Sequence, residues 1–316
     1  AFGLSMPSGF CGGHGTAAAI GEAFGKYGME EMISLAMTAA TIGIVASVII
    51  GLWLIKWGSV HGQTAFLDKF ADLPRELQTG IVPKEKRCSM GEASFSAISL
   101  DSMTFNFGVV ALIALCGYGI SQQIVHFYPA LMLPVFSCAF IVGIVLRRIF
   151  DQTHTTQYLS PKVIGHLCGA FTDYLVAFGV ASIKLAVVTR YVVPLALLLS
   201  IGLICTLGYV VWVGRRIHRT FWFEKSIFTW GWFTGTMAMS IALLRIVDPE
   251  TRSHCLDDYA YAYIYIAPVE ITLVTLAPVV FVNGFGGGFI AACATAGGVI
   301  LFFAGLKGWL LKNKSI

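Results

Sequence analysis

Long apolar runs separated by short polar segments dominate this chain. A helix needs about 20 apolar residues to cross the hydrocarbon core of a bilayer. Six runs approach or exceed that length with few or no charges: 33–55, 105–125, 129–146, 191–213, 260–282 and 286–306. A seventh, 163–188, is long enough but holds His166, Asp173 and Lys184. An eighth, 227–244, is shorter and is broken by Gly231 and Gly235. The pattern predicts an all-α polytopic membrane protein. The eighth stretch is expected to enter the membrane and turn back, because broken apolar stretches line protein cavities rather than face lipid.

Composition agrees. Only 12% of the 316 residues are charged and 57% are hydrophobic, whereas soluble domains carry about 25% charged residues. Mean hydropathy is +0.78. These values exclude a soluble enzyme, a secreted disulfide scaffold and a disordered chain. The formal net charge of +4 gives no basic face for nucleic acid, since the cations sit in short loops between apolar runs. The eight cysteines form no C-x-x-C pair and mostly lie inside apolar runs, as small buried hydrophobes do. Histidine spacings of zinc sites, a phosphate loop and a nucleophile elbow are all missing from the sequence. The chain therefore reads as no enzyme, with no cofactor and no metal beyond a coupling cation. The glycine run 284–288 follows no strand and reads as a turn between two spans.

Loop charge predicts orientation. Lys56, Lys69, Arg75, Lys84, Lys86 and Arg87 follow the first span; Arg147, Arg148 and Lys162 form a second cluster; Arg215, Arg216, Arg219 and Lys225 form a third. These loops are expected on the cytoplasmic side, and a re-entrant 227–244 would return Lys307, Lys312 and Lys314 to that side as well. The expected divisions are 1–55 as the end of a first membrane repeat, 56–102 as a cytoplasmic linker with an amphipathic piece near 66–77, 103–283 as a second repeat, and 284–316 as an extra helix and tail.

Two motifs carry the chemistry. One is Cys11-Gly12-Gly13-His14-Gly15-Thr16-Ala17-Ala18; the other is Gly231-Trp232-Phe233-Thr234-Gly235-Thr236-Met237-Ala238. Each ends in Gly-Thr-x-Ala before a helical run, and the positive-inside rule has them entering from opposite sides, as inverted repeats do. Glycine permits close backbone approach. A helix starting at Thr16 or Thr236 would aim free N–H groups and a partial positive charge at a carboxylate. Candidate substrate residues are Gly13, His14, Gly15, Thr16, Thr234, Gly235, Thr236 and Arg245, the last either a fork for a carboxylate or a partner of Asp248. Intramembrane ionisable groups are functional candidates by default. Candidate ion ligands are accordingly Asp173 and Glu270, joined by the hydroxyls of Thr38 and Thr41. Close helix packing is the competing explanation of the glycines.

The run GGHGTAAAIGEAFGKYG and the following AMTAATIGIVASVIIG resemble the first signature region of the bacterial glutamate:sodium symporter family. FGVASIKLAVV, WFTGTMAMSIALLRIVDPE and YIAPVEI are similar to its second half, with Trp232-Phe233-Thr234 in place of a Gly-His. The resemblance implies Na+-coupled uptake of L-glutamate or a similar small carboxylate, a homodimer in the bacterial inner membrane, and an elevator-like movement. It also implies several helices ahead of the first motif, so the chain is expected to be an N-terminally incomplete copy. Two rivals remain: H+ coupling through Asp173 or Glu270, and a passive channel or scaffold.

Overall fold

The computed structural model describes residues 1–67, 81–86, 89, 91, 94–96, 98–128 and 135–308, all helix, turn or irregular chain. It divides into two compact units, Ala1–Ile81 with Ser182–Ile316, and Val82–Ala181. Lys69, Arg75, Arg87, Cys88, Lys312, Lys314 and most of the expected amphipathic piece lie outside the described residues.

The first unit opens with α1 (Ser5–Phe10), α2 (Gly13–Gly25) and α3 (Glu31–Val60). The second holds α4 (Ser102–Phe127), α5 (Val135–Gln152) and α6 (Pro161–Ala181). The chain then returns to the first unit with α7 (Leu185–Arg190), α8 (Val192–Ile217, finishing through a π turn at Tyr209–Val213), α9 (Trp222–Thr234), α10 (Met237–Val247), α11 (Cys255–Val282) and α12 (Gly286–Leu306).

Six of these helices, α3, α4, α6, α8, α11 and α12, are long and apolar enough to cross a bilayer. Two boundaries differ from the sequence reading. The run 163–188 ends its helix at Ala181; Lys184 starts the separate α7, with its N–H on the Ser34 hydroxyl at 3.3 Å. The run 129–146 yields α5 only from Val135, with residues 129–134 outside the described set, and that helix carries Arg147, Arg148 and Asp151 in its last turns.

In the second unit, Asp101 caps α4 by accepting the Thr104 N–H at 2.8 Å. Fully buried Asn106 ties α4 to the start of α6: its amide donates to Ser102 O, and its oxygen accepts the Ser160 N–H at 3.0 Å. Such two-ended satisfaction is what permits a buried amide.

The first unit is built around α3. One face of that helix carries small residues, Ala36, Ala39, Ala40, Gly43, Ser47 and Gly51, and α1, α2, α9 and α10 pack against it. A Cβ on Gly9 of α1 would lie 2.5 Å from the Ala40 nitrogen. Small side chains allow backbones this close, and van der Waals contact then holds helices where no hydrophobic effect drives them together. At one end, Trp230, Phe223, Ile227, Leu243 and Leu244 close a core on Leu54 and Ile55. At the other, Phe10, Ile20 and Phe24 meet Leu35, Leu195 and Leu199.

The 227–244 stretch forms a helical hairpin. Gly231 of α9 meets Ser240 of α10 so closely that an added Cβ would sit 2.6 Å from Ser240 Cα. The two helices have 13 and 11 residues, and at 1.5 Å per residue neither reaches across the roughly 30 Å core.

Polar groups fix the base of the hairpin. Glu224, fully buried, accepts the Ala65 N–H at 2.6 Å and so holds the chain leaving α3. Asp248 accepts the N–H groups of Arg252 and Ser253 at 2.9 and 2.7 Å, shaping the turn after α10. Lys225 pairs with Asp258. Beside this pair, burial and the Lys225 charge push the His218 imidazole down to about 4, against the opposing pull of Asp258. An unfolded histidine binds its proton near pH 6.5. Between about 6.5 and 4 the unfolded chain therefore holds a proton that the folded one refuses, and stability at this site, present above 6.5, is lost as pH falls. Thermal unfolding of the purified protein should show this loss, and His218→Gln should flatten the profile over that interval; an unchanged profile would remove His218 as its source.

Candidate functional site

The two glycine motifs meet. Gly13 opens α2 with φ +59, and a Cβ there would lie 2.5 Å from the Thr236 methyl carbon and 3.6 Å from the Gly235 carbonyl oxygen. Only glycine takes this conformation and this contact without strain. Thr236, extended at φ −132 and ψ 167, stands directly before α10. The N-terminal ends of α2 and α10 thus converge, each offering unbonded N–H groups and the positive end of a helix dipole.

The details revise the sequence picture at several residues. The first break falls at Cys11–Gly12, so Thr16 stands inside the first turn of α2, its side chain against Gly12. Thr236 does occupy the helix-start position, but its hydroxyl makes no capping bond. Gly15 is exposed, and Gly13 makes the close contact instead. Thr234 is fully buried and donates its hydroxyl to Trp230 O at 2.7 Å.

His14 is 2% exposed. Its Nε2 lies 3.1 Å from Thr41 Oγ1, and the Thr41 hydroxyl donates to Met37 O at 2.9 Å. With that proton spent, Thr41 accepts from His14 Nε2–H, which in the neutral ring leaves Nδ1 as a lone-pair acceptor. Among the described residues this buried Nδ1 has no partner.

Of the expected ion ligands, Thr41 reaches the site through His14. Thr38 returns its hydroxyl to Ser34 O at 2.7 Å. Glu270, on α11, borders an apolar cavity of about 620 Å³ together with Cys11, Thr16, Trp232 and Phe233. Asp173 is exposed on α6 in the second unit. Arg245 is exposed in the last turn of α10, at the hairpin end away from the Gly235–Thr236 break, and Asp248 is engaged with backbone rather than with Arg245.

Residues that sequence reasoning passed over lie on α3. Gly43 abuts the Thr234 carbonyl oxygen, and Ser47 Cβ would stand 3.3 Å from a Cβ on Gly235. Their signal was the recurrence of small residues every third or fourth position.

Within the first unit, the spanning helices α3, α8 and α11 pack on short broken helices whose tips touch, and this defines a polytopic membrane protein with the parts of a secondary transporter. The family model described as sodium/glutamate symporter matches residues 3–220. The chain belongs to that family, whose activity is Na+-coupled glutamate symport. The match takes in the first motif and all of the second unit, and the α9–α10 hairpin follows it. No curated protein and no solved structure matches the chain.

Proposed function

We propose that the two touching motifs form one glutamate site, worked by alternating access. The contact of Gly13 with Thr236 carries this reading, because it brings two positive helix ends to one place. Glutamate has two carboxylates to match two helix N-termini. Its ammonium needs an acceptor, and the buried lone pair of His14 Nδ1 supplies one. Thr16, Thr236, Gly15 and the Thr234 region complete the surround, while Arg245 is too far along α10 to share in it. Na+ is the coupling ion, and its binding favours substrate binding by reciprocal linkage.

The alternating step is a shift that exposes this site to each side of the membrane in turn. A bacterial inner-membrane location, cytoplasmic basic loops and a homodimer accompany the family assignment in this reading. Uptake of labelled L-glutamate by proteoliposomes holding the full-length protein tests it, with and without an inward Na+ gradient. Accumulation that requires the gradient is the expected outcome. Uptake driven by a proton gradient alone would transfer coupling to Glu270 or Asp173, and non-saturable flux would make the protein a channel.

A further inference from the structure

The hydroxyls along the packed helices of the first unit follow one habit. Thr38, Thr41, Thr229, Thr234 and Ser240 each donate to the carbonyl four residues earlier, the local bond that satisfies a buried Ser or Thr in a helix. Ser47 of α3 and Ser226 of α9 depart from it: both are buried, and among the described residues neither Oγ has a hydrogen-bond partner. The Ser47 side chain is 0% exposed. A buried polar atom left unmatched is unfavourable, and in a native fold it calls for an explanation such as an ion.

What faces Ser47 supplies one. Its side chain lies against Gly235, at the break where α9 ends. A helix end leaves its last carbonyls without intrahelical donors and carries partial negative charge. Among the described residues no backbone N–H is bonded to the carbonyl oxygens of Thr234 or Gly235. Thr234 O turns toward Gly43, one helical turn from Ser47 on the same helix. The C-terminal end of α9 and its free carbonyls thus meet α3 along the turn from Gly43 to Ser47, where the buried hydroxyl stands.

We propose that Ser47 Oγ, with the Thr234 and Gly235 carbonyl oxygens, forms a seat for the coupling Na+. Hard cations take oxygen ligands, and divalent ones are held chiefly by carboxylates. The nearest buried carboxylates of the hairpin are at its opposite end, where Asp248 accepts backbone N–H groups through both oxygens and Glu224 through one. Neutral ligands alone suit a monovalent ion. Gly235 also touches the first motif through Gly13, so an ion here would brace the Gly235–Thr236 turn that presents the α10 N-terminus to substrate. The seat rests on the symport reading and assigns its ion a place.

The test is the Na+ dependence of glutamate uptake in proteoliposomes of the full-length protein, wild type against Ser47→Ala. The Na+ concentration for half-maximal uptake should rise about tenfold or more, the scale of one lost ion ligand, with uptake restored at high Na+. Na+ should raise the thermal midpoint of the purified wild type by mass action, and that rise should shrink in the variant while its Na+-free midpoint holds. Ser47→Cys keeps the volume but offers a soft sulfur, a poor Na+ ligand, and should show the same shift. An unchanged half-maximal Na+ concentration in either folded variant overturns the seat and leaves symport standing. A wild type whose uptake ignores Na+ removes the symport reading, and the seat with it.

Discussion

Gly13→Ala is expected to lower Na+-driven glutamate uptake by about 100-fold, the scale at which small misplacements disable a positioned site, while the protein still inserts and purifies. Two effects combine. The residue sits at φ +59, where a side chain costs about 1–2 kcal/mol. Its new methyl would also stand 2.5 Å from the Thr236 methyl carbon, forcing the two tips apart. Gly28→Ala separates the causes. Gly28 has φ +79 but nothing within 4 Å of an added Cβ, so it carries the strain without the collision. That variant should lose a little stability and keep its transport. If Gly13→Ala transported as well as Gly28→Ala, the contact between the tips would have no part in substrate binding.

Gly231→Val should be the most destabilising single change in the hairpin. The added side chain would meet the Ser240 backbone, with Cα at 2.6 Å and nitrogen at 2.8 Å, and backbone cannot swing aside as a side-chain end can. Overpacking a tight interior costs about 1–3 kcal/mol, and here the upper end applies because two helices must separate. Thermal unfolding of the purified variant should show a clearly lower midpoint and uptake should be lost. Gly25→Ala, at the end of α2 with open space around its added Cβ, is the matched change expected to be near neutral. A Gly231→Val midpoint equal to that of wild type would mean that α9 and α10 do not pack as described.

The spans were legible because lipid leaves little freedom: apolar length alone marks α3, α4, α8, α11 and α12. The hairpin was legible from Gly231 and Gly235, since glycines that break a short apolar stretch mark a turn. The break near Gly12 was visible too, but its register was not; Gly12, Gly13 and Gly15 each allow the chain to bend, and which one bends depends on Thr236 arriving from far along the chain. The grouping of α4 to α6 into their own unit is a matter of long-range contacts, and no local pattern encodes it. That the Thr38 and Thr41 hydroxyls send their protons back to Ser34 O and Met37 O is seen only in the folded helix, since an isolated sequence cannot say where a hydroxyl proton goes. Ser47 escaped notice for the converse reason: a lone serine in a spanning helix ordinarily bonds its own backbone.

The packing of α3 has a mechanical consequence. This helix meets the first tip through Thr41 and the second through Gly43 and Ser47, so the tips resemble jaws riveted to one bar. Close-packed interiors transmit displacement rather than absorb it. Parting the jaws must therefore bend the bar or carry bar and jaws together. Its outward row, Ile42, Val45, Ile49 and Trp53, is 39–63% exposed, and spectroscopic labels placed there would tell flexing from a swing without touching the grip.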